Sequence, residues 1–391
     1  MNTHNSNGVT QVPLLDVNRS NAPILDEIND AIQSILVSGR FVGGPDIQKL
    51  EEAMAEVCCA RFGIACASGS DALLLALMAL GVKSGDEVIV PSFTFFASVS
   101  CITRLGARPV FVDIDPLTFN LDVNKINALI TPQTRGIIPV HLFGRCADMT
   151  EINRIAQRHN LFVVEDVCQS IGATHAGQSA GSIGDVGCFS FYPTKNLGGF
   201  GDGGLITTND EKLAASMRLY ANHGMNPRYY HKVIGINSRL DTLQAAGLIV
   251  KLKYLHDWTV ARRENSRRYR QLFVQHNLVG KFDLPADDSR GTHVWNQFTI
   301  RVRDLSRDEF RNELAKRKVG TEVYYPVPMH LQECFSYLGY KAGDLPETER
   351  AANQVISLPN FPGLTQKEQE YVVRCCAEIC DSSAHPRRKA S

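Results

Sequence analysis

The stretch SFYPTKNLGGFGDGGLITTND, Ser190 to Asp210, decides how this chain is read. Within it, Gly199-Phe200-Gly201-Asp202-Gly203-Gly204 fits the G-x-G-x-x-G pattern of a dinucleotide-binding turn, and Lys195 stands four residues before the first of those glycines. The stretch is therefore either a turn for a pyrophosphate or a turn that carries a reactive amine. A dinucleotide turn must open a helix, because the helix N-terminus is what meets the pyrophosphate. Here Gly204 is followed by Leu205-Ile206-Thr207-Thr208, which is β-prone and runs into a turn at Asn209-Asp210. No helix is expected at the glycines, and no G-K-[ST] closes a phosphate loop. The remaining reading is a lysine loop after the strand Val186 to Tyr192, with glycines that let a bulky ligand approach the backbone.

Upstream, short apolar runs alternate with helical patterns. The runs are Gly63 to Ala67, Glu87 to Val90, Pro109 to Val112, Gly136 to Val140, and Leu161 to Val164, which leads into Glu165-Asp166. Helical patterns begin at Asp46, span Leu73 to Leu80, and span Met149 to His159. Strands this uniformly apolar predict an α/β fold with a mostly parallel sheet covered on both faces. Ligands bind such sheets at the carboxyl ends of the strands. That rule selects Ser68-Gly69-Ser70, Pro91 to Phe96, and Asp166 to Gln169. Downstream, one helix is expected over Arg239 to His256 and a charged one over Thr259 to His276, followed by mixed short elements. These predict a large α/β domain over 14–256 and a smaller C-terminal α+β domain over 257–391.

Composition narrows the function. The chain has 391 residues, 44% hydrophobic and 21% charged, with 41 basic and 41 acidic side chains. Zero net charge is not the footprint of a nucleic-acid binder, and the basic tail at His385 to Lys389 reads as a solvated terminus. No apolar run reaches membrane-span length, and the first residues lack a secretory pattern. The eleven cysteines contain no C-x-x-C, so no zinc site is expected. They read as buried thiols in a reducing cytoplasm.

The lysine gains meaning from its company. A pyridoxal phosphate enzyme needs a lysine to hold the aldehyde as a Schiff base. It also needs a carboxylate at the pyridine nitrogen, backbone amides for the phosphate, and a flat group on the ring. Lys195 and Asp166 answer the first two, and Gln169 stands within reach of the ring oxygen. Gly69 and Ser70, before an apolar helix, offer amides, and Ser190 a hydroxyl. Phe95 is the stacking candidate. Each has a plainer reading: a strand-end acid for Asp166, a helix cap at Ser70 or Asp71, a strand hydrogen bond for Ser190, a core aromatic for Phe95.

The motifs GPDIQKLEEAMA, CASGSDALLLAL, VIVPSFTFFAS, VVEDVCQSIGA, SFYPTKNLGGFGDGG, GINSRLDTLQAA and YYPVPMHLQ together resemble the pyridoxal-phosphate-dependent nucleotide-sugar aminotransferases of the DegT/DnrJ/StrS group. The resemblance runs from about Leu14 to Ile379. It implies the aspartate-aminotransferase-like fold (fold type I), with Lys195 as Schiff-base lysine and proton shuttle and Asp166 at the pyridine nitrogen. It implies Gln169 on the ring, Gly69, Ser70 and Ser190 on the phosphate, and Phe95 stacked. It further implies a homodimer with shared sites, in which Asn237 reaches the partner's cofactor phosphate and Arg239, Tyr324 and His330 approach substrate. Plainer readings are a helix cap for Asn237-Ser238 and a surface or interface histidine for His330. Lysine at position 195, where a minority branch has histidine, favours transamination over dehydration. The expected reaction takes an amino group from L-glutamate to a UDP- or dTDP-linked 3-oxo sugar. The alternatives are a 4-oxo-sugar aminotransferase, a regulatory or sensory protein that keeps the fold without turnover, a lyase, and the oxidoreductase of the glycine pattern.

Overall fold

The computed structural model describes residues 9–384; the basic tail lies outside the described residues. Helices α1 (Leu25–Ser38) and α2 (Pro45–Cys58) lead into the central sheet. Its strands are β1 (Phe62–Cys66), β2 (Glu87–Pro91), β3 (Arg108–Val112), β4 (Thr134–Ile137), β5 (Phe162–Asp166), β6 (Val186–Ser190) and β7 (Gly204–Thr208). Their order is β1-β7-β6-β5-β4-β2-β3. β2 to β6 pair in parallel, whereas β7 lies antiparallel between β1 and β6. A hairpin return of this kind needs only a loop, and that loop carries Lys195. The next helix begins only at Glu211, which removes the dinucleotide reading.

Helices cover both faces, as the uniformly apolar strands require. On one face lie α3 (Gly69–Ala79), α4 (Ala97–Arg104) and, later in the chain, α6 (Glu211–Ala221), packed on Ile64, Val164, Cys188 and Ile206. On the other, α5 (Met149–His159) packs on Val163. Helix α7 (Thr242–Leu252) joins α2 over Ala65, Phe189 and Leu205 on that second face. Successive residues of one strand thus enter opposite cores, the period-two alternation of a strand. Helix α3 is buried around most of its circumference, with Leu73, Leu75 and Leu77 fully enclosed. Each such leucine contributes about 1.5–3 kcal/mol of burial. Ser68 caps this helix by accepting from the Asp71 amide at 3.1 Å, two or three residues earlier than a cap at Ser70 or Asp71 would have placed the start.

The expected single helix over Arg239 to His256 is two. Helix α7 ends at Leu252, and α8 (Leu255–Gln275) begins three residues later, four before the expected Thr259. Lys253 and Tyr254 turn the chain in near-helical geometry, with the Tyr254 amide on the Lys251 carbonyl at 3.0 Å. No glycine or proline marks this bend, so the apolar periodicity runs through it. Helix α8 then passes from the core under the lysine loop, at Leu255, to a second core at Tyr269 and Phe273. That second core is built on the antiparallel sheet of β8 (Phe282–Asp283), β9 (Phe298–Val302) and β10 (Val355–Leu358) with α9 (Arg307–Lys316) and α10 (Gln366–Ala384). Val12 belongs to this core and pairs with Val319.

All eleven cysteines are free thiols, but the expectation of uniform burial fails at three positions, Cys168 being only half-buried and two others exposed. Cys59 is exposed in the left-handed turn that ends α2, and Cys334 is exposed on a short 3-10 turn.

Candidate active site

The loop between β6 and β7 is pinned from below by one face of α7. The Gln244 side chain accepts from the Phe200 amide at 2.7 Å, and Lys251 Nζ donates to the Gly198 carbonyl. Gly247 leaves the space that the Phe200 ring fills. Positions 244, 247 and 251 share a helix face, so a single helix reads the loop at three points. The glycines answer this packing. A Cβ on Gly199 would stand 2.8 Å from Gln244 Oε1, and one on Gly203 would stand 2.9 Å from the Leu240 side chain. Glycine here is needed for close approach of protein to protein, and no pyrophosphate is required to explain it. Lys251 is buried between the rings of Phe200 and Trp258, at 5.3 and 5.9 Å, and burial lowers its amine to about 8.

Lys195 is half-buried at the top of this loop, its amide on the Tyr192 carbonyl at 2.9 Å. Asp166 ends β5 at only 5% exposure. Its Oδ2 accepts from Ser98 Oγ at 2.7 Å and its Oδ1 from the Cys168 amide at 3.1 Å. Thr94 Oγ1 lies 2.9 Å from Ser98 Oγ. Cys168 sits between these parts. Burial pushes its thiol well above the usual range and Asp166 adds to the push, while the nearby Lys195 charge opposes it. Gln169 is fixed at both ends, its Oε1 accepting from the Phe143 amide at 2.8 Å and its Nε2 donating to the Tyr325 hydroxyl at 2.9 Å. One Nε2 hydrogen remains for a ligand.

The start of α3 closes the group. A Cβ on Gly69 would stand 2.7 Å from the Ser190 Cβ and 3.0 Å from Cys168 Sγ, so only glycine lets β6 and the β5 end meet this helix. Gly204 lies equally close to the Ser68 backbone. The amides of Gly69 and Ser70 are the first two of the helix and have no intrahelical acceptor. They are donors at the positive end of a helix dipole, suited to a phosphate. Ser190 Oγ accepts weakly from the Tyr192 amide at 3.3 Å and keeps its proton to donate. Phe95 is 57% exposed and tilted against Tyr325 with ring centroids 6.1 Å apart, so it is no core aromatic. It follows the fully buried Phe93 on the same turn. Donors for a phosphate, an acceptor for a ring N–H, an amine and an exposed aromatic therefore border one another. This donor set fits pyridoxal phosphate.

Other expected residues stand apart. Asn237 and Arg239 are exposed, and Arg239 donates to Asn222 Oδ1 at 3.2 Å. They are held by the buried Ser238, whose hydroxyl donates to Asp71 Oδ2 at 2.8 Å and accepts from the Ala67 amide. Neither side chain touches Lys195, Asp166 or Gln169 within this chain. Nor does the Asn237-Ser238 pair cap a helix, since α7 starts at Thr242 after Asp241. Tyr324 is half-buried beside Tyr325, with ring centroids 5.9 Å apart. His330 is not a surface histidine. It is 1% exposed, with Nδ1 2.7 Å from Ser92 Oγ and Nε2 3.2 Å from Glu349 Oε1. The Ser92 hydroxyl also accepts from the His330 amide, so its proton goes to Nδ1 and the ring donates from Nε2 to Glu349. Both nitrogens are committed, and burial lowers the ring below its ordinary value.

Sequence reasoning missed Ser98, Thr94 and Tyr325. Thr94 and Ser98 lie in VIVPSFTFFAS, but hydroxyls in a helix-opening turn are common, and their target is a carboxylate more than sixty residues away. Tyr325 was one residue from the tyrosine that was chosen.

A profile of the DegT/DnrJ/EryC1/StrS aminotransferase family matches residues 23–377. The chain is 47% identical over 369 residues to a pleiotropic regulatory protein of Geobacillus stearothermophilus, with 94% of this chain and 98% of that protein covered. It is 41% identical over 359 residues to the UDP-N-acetyl-3-dehydro-alpha-D-glucosamine 3-aminotransferase of Acidithiobacillus ferrooxidans, with 92% and 95% covered. Among solved structures it is similar to that of ntda from Bacillus subtilis with bound cofactor PMP, with a TM-score of 0.89, 36% identity, and 96% of this chain and 86% of that chain covered. No helix among the described residues is long and apolar enough to cross a membrane.

Proposed function

Because this chain belongs to the DegT/DnrJ/EryC1/StrS aminotransferase family, we propose that it moves an amino group from L-glutamate to a nucleotide-linked 3-oxo sugar, UDP- or dTDP-linked, using pyridoxal phosphate. The observation that carries this reading is the meeting of Asp166, Cys168, Gly69 and Ser190 beneath the Lys195 loop. The Gly69 and Ser70 amides and the Ser190 hydroxyl would hold the phosphate, Asp166 would accept from the ring nitrogen, Gln169 would donate to the ring oxygen, and Phe95 would cover the ring. Pyridoxal phosphate, when bound, supplies an aldehyde that carries the amino group and a pyridinium that takes up electrons.

The chain's own residues do the rest. Lys195 would act as the proton shuttle, taking the proton from the α-carbon of glutamate and passing it on within the same half of the exchange, with the reverse transfer serving the sugar. Asp166, held by two donors, presents a fixed acceptor and needs no reorganisation when charge moves. The exposed positions of Asn237 and Arg239 support a homodimer in which each serves the partner's site, Asn237 at the phosphate and Arg239 at the substrate. Tyr324 is retained as a sugar contact, and His330 is assigned instead to packing. The relative named as a regulator carries that name for itself. This chain keeps Lys195, Asp166 and Gln169 assembled, which favours turnover. Free thiols and the nature of both substrates favour a cytoplasmic site of action.

The test is the visible spectrum of purified protein incubated with pyridoxal phosphate and titrated with L-glutamate. The expected result is a yellow band that glutamate bleaches and that is missing in Lys195→Ala, with turnover in that variant reduced roughly a thousandfold or more. A 3-oxo sugar nucleotide, and not its 4-oxo isomer, then restores the band. Absence of the band in the unaltered chain overturns the cofactor assignment.

A further inference from the structure

The turn that carries Phe95 does a second job. Ser98 opens α4 with its amide on the Phe95 carbonyl at 3.3 Å. Ser98 and Thr94 are both fully buried, although neither packs as an apolar residue would. A carboxylate can only accept, so the 2.7 Å contact between Ser98 Oγ and Asp166 Oδ2 commits the Ser98 proton to Asp166. The Ser98 oxygen is then the acceptor in its 2.9 Å contact with Thr94, and the Thr94 proton points to Ser98. The result is a one-way chain of buried hydroxyls, Thr94 to Ser98 to Asp166. Hydrogen bonds to a charged acceptor in such surroundings are stronger than neutral ones. With the Cys168 amide on the other oxygen, the carboxylate is pinned at two points and cannot rotate freely.

We propose that Ser98, oriented by Thr94, is a positioning residue for the ring-binding carboxylate. It sets how firmly the protein retains pyridoxal phosphate and at what pH the visible band of the bound cofactor titrates. This rests on the cofactor reading above. The same turn therefore places the stacking aromatic and aims the carboxylate, which couples the two contacts a ring would receive.

The experiment uses full-length chain freed of cofactor, titrated with pyridoxal phosphate and followed by quenching of tryptophan fluorescence and by the visible band across pH. Ser98→Ala is expected to raise the dissociation constant about tenfold or more, the loss of one charge-assisted hydrogen bond. It also moves the band's midpoint upward, because a ring that keeps its proton less firmly repels a proton at the Lys195 nitrogen less. Ser98→Thr restores both values, and Thr94→Val moves both in the same direction by less. Melting of each cofactor-free variant identifies any that fail to fold; if Ser98→Ala is one, Thr94→Val carries the comparison. Unchanged affinity and midpoint in the folded variants overturn the inference, as does equal damage from Ser98→Ala and Ser98→Thr. Failure of the unaltered chain to bind pyridoxal phosphate removes the cofactor reading itself, a result distinct from binding that Ser98 does not influence.

Discussion

Glu165 and Asp166 are neighbours on one strand, both buried carboxylates, and they meet opposite environments. Glu165 points with Val163 toward the α5 face. Its two oxygens take the amides of Gly181, Ile183 and Gly184 at 3.0, 2.8 and 2.7 Å, and His141 Nε2 stands 2.9 Å away. The Ala147 amide donates to His141 Nδ1, so the ring's one proton is on Nε2 and goes to Glu165. Asp166 points with Val164 toward the α3 face and has two donors, Ser98 and Cys168. A buried carboxylate offers about four lone-pair positions. Glu165 has all of them filled by the protein and is part of the scaffold, while Asp166 has capacity left, next to an amine and unbonded helix amides. Saturation separates these two carboxylates more sharply than burial does.

That contrast can be broken experimentally. The largest effect expected is in the pair Asp166→Asn and Glu165→Gln. Asp166→Asn should lower amino transfer by about 10²–10³-fold, as for loss of one preorganised electrostatic contact, with little change in melting temperature. Glu165→Gln puts amide hydrogens against backbone N–H donors and should lower stability by about 1–3 kcal/mol, the cost of leaving a buried donor without its acceptor. Calorimetry and turnover measured on both variants check the split; a stable, inactive Glu165→Gln would contradict it.

A smaller effect is expected at Tyr325→Phe. It removes the acceptor that holds Gln169 Nε2, a loss of about 0.5–1.5 kcal/mol. Turnover or cofactor affinity should fall roughly two- to tenfold, and Gln169→Ala added to it should cost little more. Strict additivity in that double-mutant cycle would show that Gln169 acts without Tyr325.

The smallest effect on activity is expected at His330, whose saturated ring resembles the Glu165 pocket. Burial lowers its folded value, so as pH falls the unfolded chain takes up the proton first. Its contribution to stability is full above about pH 6.5 and is lost as pH falls from there toward the folded value. His175 and His293 shift in the same direction, also through burial. His330→Gln should therefore flatten part of the decline in melting temperature below pH 6.5, while the Michaelis constant for the sugar nucleotide stays within about threefold, since no ring nitrogen is free to bind it. A tenfold rise in that constant would restore His330 as a sugar contact.

Much of this molecule was legible without coordinates because the signals are local. Uniformly apolar strands, their spacing, and the β-prone Leu205 to Thr208 directed the reading to a parallel sheet with a lysine hairpin. The strand-end rule then selected Asp166, Gln169, Gly69 and Ser70. What stayed hidden was long-range or geometrically subtle. The bend at Lys253-Tyr254 preserves helical periodicity, so no residue type announces it. The role of the glycines depended on what lies opposite them: Gln244 faces Gly199, Leu240 faces Gly203 and Ser190 faces Gly69.

The sequence by itself determined the fold class and the family, because hydrophobic periodicity and contiguous motifs are properties of the chain. Only the tertiary structure decided which polar groups are still able to bind. It closed His330 with Ser92 and Glu349, left Phe95 open to solvent, and joined Thr94 and Ser98 to Asp166. Free hydrogen-bonding capacity depends on partners that are distant in sequence, and they meet only when the sheet and its helices pack.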